Sequence, residues 1–192
     1  FTILQPTHLL WINLITDSLP ALAMATEKAE PGIMNRKPRS SRSGIFSEGL
    51  GLDCIVQGVI ISVLTLVSYF IGHYVEYGTF DISQVLANPA AGIDGMTMAF
   101  LTLSMVEMFH SFNMRSRRES IFKLKSQNIW LWGSFVVSLI LTYIAIETPL
   151  SQAFGFAEIG VKEYAIAMGL AFAIIPLMKI YKAIMRAIEK QH

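Results

Sequence analysis

Asn13, Thr16, Asp17 and Pro20 fall inside a mostly apolar run at 9–25. A carboxylate in such a run costs at least ~2.5–3.5 kcal/mol on insertion scales, so it marks an ion or substrate path by default. On an α-helix Asn13, Thr16 and Asp17 stand at i, i+3 and i+4 and share one face. Pro20 has no N–H, and its ring clashes with the carbonyl four residues back, that of Thr16. A freed carbonyl, a carboxylate, a hydroxyl and an amide oxygen then gather where the helix must loosen between Thr16 and Pro20. Hard oxygens of this kind suit calcium, and broken membrane helices hold cations with loosened carbonyls. The plainer role for Asn13 and Thr16 alone is hydrogen bonding between helices; with Asp17 and Pro20 on the same turns, the ion reading is preferred.

A second acidic residue, Glu107, lies in Thr102-Leu103-Ser104-Met105-Val106-Glu107-Met108-Phe109-His110. Counted from the outer ends of their segments, Asp17 is ~16 Å deep and Glu107 ~18 Å deep at 1.5 Å per residue. Two carboxylates at one depth can face one cavity, but they share it poorly without a cation or a proton between them. The competing role for Glu107 is a protonated side chain bonded to a neighbouring helix. Glu107 and His110 have the Glu-x-x-His spacing of di-iron bundles, but that site needs two copies and more carboxylates. His110 therefore reads as an interfacial packing residue, His73 as structural, and the methionines of 96–98 and 105–108 as bundle packing.

The elements that carry these residues follow from composition. Hydrophobic residues make up 53% of the chain and charged residues 15%, with a mean hydropathy of +0.51, which excludes an ordinary soluble domain. A single cysteine, Cys54, excludes an internal disulfide and leaves no basis for a cysteine metal site. Five segments approach the ~20 apolar residues that a span needs: about 6–25, 50–74, 96–114, 128–146 and 163–185. The expected fold is all-α, a single transmembrane domain over 1–192 built as a five-helix bundle. Lys28, Arg36, Lys37, Arg39 and Arg42 lie in the first loop, and Arg115, Arg117, Arg118, Lys123 and Lys125 in the third. Lys179, Lys182, Arg186 and Lys190 lie in the tail, whereas the loop 76–94 has neither Lys nor Arg. By the positive-inside rule the N-terminus is outside and the C-terminus cytoplasmic. With no signal peptide legible, an outside start implies at least one helix upstream. Trp130 and Trp132 mark the inner interface, Tyr74 and Tyr77 the outer one, and Pro176 predicts a kink near Phe172. Ser40, Ser41 and Ser43, set among arginines, read as part of a solvated basic loop.

The stretch from Asn13 to Ala21 resembles the sixth transmembrane helix of type II P-type cation-transporting ATPases, the family of the calcium pump. Ile33-Met34-Asn35-Arg36-Lys37-Pro38-Arg39 is similar to the Met-x-Arg-x-Pro-Arg segment that follows that helix. Val106-Glu107-Met108, with His110 and Asn113, resembles the eighth helix. The resemblance runs over the whole chain as helices six to ten, and is most specific in the first forty residues. It implies Asn13, Thr16, Asp17 and Glu107 as ligands of the transported ion, calcium, with Asp17 shared between two ions. Ser18 departs from the family's glycine. The same resemblance implies that ATP and magnesium are handled in cytoplasmic domains absent from this chain, so the fragment itself has no catalytic residue and no cofactor site. The implied partners are the lipid membrane, upstream transmembrane helices and cytoplasmic domains of the same pump, without nucleic acid. The implied activity is ATP-driven calcium export through a phosphorylated aspartate, in a multi-pass membrane protein. The short loops and the lack of a retention signal at Gln191-His192 favour the plasma membrane over an internal one. The alternatives are a sodium or proton pump of related type, or half of a secondary cation transporter. Against the latter, no second copy of the Asn-x-x-Thr-Asp-x-x-Pro pattern is found.

Overall fold

The computed structural model describes residues 2–29, 34, 38, 44, 46–47, 49–81, 83, 86, 92–117, 121 and 127–189. The loop arginines and lysines 36, 37, 39, 42, 118, 123, 125 and 190, the serines 40, 41 and 43, and most of the segment 33–39 lie outside the described residues. What is described is helical, without strands among the described residues.

The first apolar segment is a composite rod. Helix α1 (Pro6–Trp11) runs into a π-helical segment (Ile12–Asp17) and then into α2 (Ser18–Met24). Pro6 opens α1, where its missing N–H costs nothing. Helix α3 (Leu50–Tyr77) ends at Gly78, whose φ of 68° lets the chain turn away. Helices α4 (Ile93–Met114), α5 (Ile129–Glu147) and the short α6 (Leu150–Phe154) follow. Asn128 caps α5 by accepting the N–H groups of Trp130 and Leu131. The last segment is divided into α7 (Val161–Phe172) and α8 (Ile174–Glu189). The break comes four residues before Pro176, where the ring displaces a carbonyl, as the sequence predicts.

Among the described residues three helices are long and apolar enough to cross a membrane: Leu50–Tyr77, Ile129–Glu147 and the combined Val161–Ile188. Neither the α1–π–α2 rod nor α4 is among them. The reason for α4 is its position. It is the central helix, buried on nearly every side from Gly95 to Asn113, and its Thr, Ser, His and Asn side chains face protein rather than lipid. Helix α3 is its closest neighbour. A Cβ on Gly72 would meet Gly95 Cα at 2.7 Å, and one on Gly95 would meet Tyr69 O at 2.8 Å. Small residues let membrane helices approach this closely and gain backbone packing that lipid cannot offer. Ser68 and Thr102 then hydrogen-bond across the contact at 2.6 Å. On its other faces α4 meets the π segment, α5, α7 and α8. The core there is built from Met98, Phe100, Met105, Met108, Ala167, Ala171, Ile174 and Met178, all fully buried, and flexible methionines fill such irregular space well.

Candidate ion-binding site

The π segment and α4 bring the two acidic positions together. Thr16 is 1% exposed and points at α4, where its Oγ1 lies 3.4 Å from Glu107 Oε2. The same hydroxyl donates to Ile12 O at 2.9 Å. A hydroxyl has one proton, so it donates to Ile12 O or to Glu107 at any one time, and its lone pairs stay available to a cation. The Asp17 carboxyl lies near enough to Glu107 for the two like charges to oppose one another. Glu107 is half-buried, and Asp17 and Asn13 are exposed.

Pro20 supplies no N–H for the Thr16 carbonyl, so a regular ladder is impossible at this turn. The chain answers by widening rather than unwinding. The bonds lengthen to i→i+5 over Ile12–Asp17, and Ser18 Oγ donates to the Asn13 carbonyl, five residues back, at 2.8 Å. This differs from the expected opening between Thr16 and Pro20. The irregular stretch precedes the proline, and α2 resumes at Ser18. More residues per turn also change the faces. Asn13 and Asp17 are both exposed, while Thr16 swings inward toward α4. Thr16 therefore faces α4, while Asn13 and Asp17 stand on the exposed side of the rod. Single π turns inside α-helices occur frequently at functional sites.

The four candidate residues offer two carboxylates, a hydroxyl and an amide, and among the described residues there is no cluster of three His, Cys, Asp or Glu side chains. All-oxygen sets of this sort suit hard cations and not thiolate- or imidazole-seeking metals.

Other polar groups hold the frame; the sequence counted Arg115, Arg117 and Lys182 only as loop and tail cations and gave no partner for any of them. Arg115, at the end of α4, donates to both Glu27 oxygens, at 3.0 and 2.8 Å. Asn128 Nδ2 donates to Glu27 and to Ala23 O, both at 2.9 Å. Asp53, buried at the start of α3, accepts Arg117 Nε at 2.7 Å and Tyr181 OH at 2.6 Å. Lys182 of α8 is 4% exposed and donates to the carbonyls of Asn113 and Ser116 at the end of α4. Ionisable residues at the ends of apolar segments, such as Asp53 and Lys182, were the available signal, but spacing does not pair residues 64 or more positions apart. His110 Nε2 meets Gln57 Oε1 at 3.0 Å, which joins α4 to α3. At the opposite end of the bundle His8 accepts the Gln5 N–H at Nδ1, which leaves Nε2 to donate to Phe154 O at 2.7 Å.

A family model described as "Cation transporting ATPase, C-terminus" matches residues 1–184. The chain is similar to Calcium-transporting ATPase 1 of Bacillus cereus, 34% identical over 182 residues that cover 92% of this chain and 20% of that protein. It is 32% identical over 192 residues to Calcium-transporting ATPase 1 of Lactococcus lactis, covering 99% of this chain and 20% of that protein. A plant relative, an endoplasmic reticulum-type Calcium-transporting ATPase 3 of Arabidopsis thaliana, is 26% identical over 200 residues, covering 95% of this chain and 20% of its own length. The chain thus spans about a fifth of the length of these relatives.

Proposed function

We propose, since this chain belongs to the family of cation transporting ATPase C-termini, that it is the ion-binding membrane part of an ATP-driven calcium pump. The observation that carries the reading is the meeting of Thr16 and Asp17, on a π turn, with Glu107 on the central helix. Asn13, Thr16, Asp17 and Glu107 are the proposed ligands. Calcium takes 6–8 oxygens, and these four side chains leave part of the shell to be filled. Asn13 and Asp17 are exposed in this chain, and an exposed carboxylate facing lipid is costly. Both fit a site completed by helices of the same pump outside this chain.

The proposed cycle exports calcium from the cytoplasm through a phosphorylated aspartate, with ATP and magnesium bound in domains beyond this chain. The role of these residues is to bind tightly in one state and weakly in the other, because a two-state equilibrium shifts only by a difference in affinity. A π segment beside two carboxylates suits that role. Small changes in winding alter which oxygens face Glu107. Two carboxylates favour a divalent ion over sodium or a proton. The proposed orientation, N-terminus outside and C-terminus cytoplasmic, is supported by the sorting of Lys and Arg. The plasma membrane is proposed on the shortness of the loops.

In the full-length pump Asp17→Asn should abolish calcium-dependent phosphorylation by ATP, because a full ligand charge is lost in a low-dielectric site. Glu107→Gln should lower calcium affinity more mildly, since an amide oxygen still coordinates. Phosphorylation from inorganic phosphate without calcium should survive both. Normal calcium affinity in Asp17→Asn, or loss of the phosphate reaction in both variants, would make these residues structural.

A further inference from the structure

The α1–π–α2 rod and α4 run side by side and meet at two polar points. One is Thr16 and Asp17 with Glu107. The other is Glu27 with Arg115, about ten residues beyond Asp17 and eight beyond Glu107, or ~12–15 Å away at 1.5 Å per residue. We propose that Arg115 is a positioning residue for the ion site: its two-armed grip on Glu27 sets how deep the rod sits against α4, and so how closely Asp17 and Thr16 approach Glu107. The inference rests on the ion-site reading above.

Three observations carry it. The pair is sheltered, with side-chain exposures of 4% for Arg115 and 18% for Glu27, so it is not a screened surface contact of little consequence. Its geometry is directional. A planar guanidinium meeting both oxygens of one carboxylate fixes distance and rotation together, which a single point charge does not. Both sides of the contact are anchored as well. Lys182 holds the Asn113 and Ser116 carbonyls, and Arg117 holds Asp53, so the end of α4 is tied to α8 and α3. On the other side Asn128 fastens Glu27 and Ala23 O to the start of α5. A displacement of the Arg115–Glu27 contact is therefore passed to the rod and not absorbed at the end of α4.

The test uses the full-length pump with Arg115→Lys, Glu27→Gln and the double variant, and reads the calcium concentration giving half-maximal phosphorylation by ATP. Lysine keeps the charge and much of the packing but loses the fork, so it guards against a variant that fails to fold. Each single change should raise half-saturating calcium by roughly 5- to 10-fold, and the double should be no worse than the worse single, as for two groups acting through one contact. A fall in unfolding temperature with unchanged half-saturating calcium in Arg115→Lys would reduce the pair to a structural fastening and overturn the proposal, as would full additivity. Asp17→Asn measured alongside separates the two readings. If its calcium response is normal, the ion site itself is wrong; if it is lost while Arg115→Lys responds normally, only the positioning role is wrong.

Discussion

Glu27 shows how a side chain can be silent in the sequence and central in the fold. It stands just past α2, in a stretch otherwise notable for Lys28 and the loop arginines, where an acidic residue reads as solvated. In the structure the Arg115 hydrogen bond, before any other influence, holds its carboxyl below the ordinary value of 4.5, with Asn128 assisting and partial burial opposing. A carboxyl whose folded pKa is depressed adds stability that is fully present above the unfolded pKa and is lost as pH falls through the folded one. The gap in unfolding temperature between the native protein and Glu27→Gln should therefore be widest above about pH 5 and close progressively in acid. A gap that persists unchanged through that window would assign the stabilisation to packing. Asp17 and Glu107 are the opposite case. A charge among apolar neighbours stands out by contrast, so both were legible without knowledge of any contact. What the sequence lacked was which side each faces.

At the level of elements, proline was the most reliable signal, although its effect fell in different places. Pro176 divides α7 from α8 at the carbonyl it displaces, as its position predicts. Pro20 acts less directly. The irregular winding lies before it, over Ile12–Asp17, and Ser18 supplies an extra bond to the Asn13 carbonyl. Helical-wheel spacing assumes 3.6 residues per turn, so it put Asn13, Thr16 and Asp17 on one face; the wider turn separates them. The close contact of α3 with α4 was not legible, because Gly72 and Gly95 gain their meaning only when set opposite one another. A glycine in a strongly apolar segment gives no indication of its partner.

For the whole molecule, the sorting of basic residues predicts an orientation that labelling can test. In a Cys54→Ser background, single cysteines at Gln127 and Glu158, both exposed, should react with an impermeant reagent from opposite sides, Glu158→Cys from the outside. Reaction of both from one side, or of Gln127→Cys from the outside, would refute the five-span arrangement with its N-terminus outside. The number of spans cannot be counted from hydropathy alone, because α4 is too polar to qualify by itself yet occupies the centre of the bundle. That polarity bears on biogenesis. A helix that carries Glu107, His110, Asn113 and a row of hydroxyls is poorly solvated by lipid, whereas α3 is long and apolar enough to enter a bilayer by itself. The glycine contact and the Ser68–Thr102 bond offer α4 a shelter only once α3 is in place. Insertion should therefore follow an order, with α3 first and α4 joining as the second arm of a hairpin. Glycosylation-site mapping should find α4 inserting poorly as an isolated segment and well behind α3; equal insertion in both contexts would remove the requirement for a chaperoning neighbour within the chain.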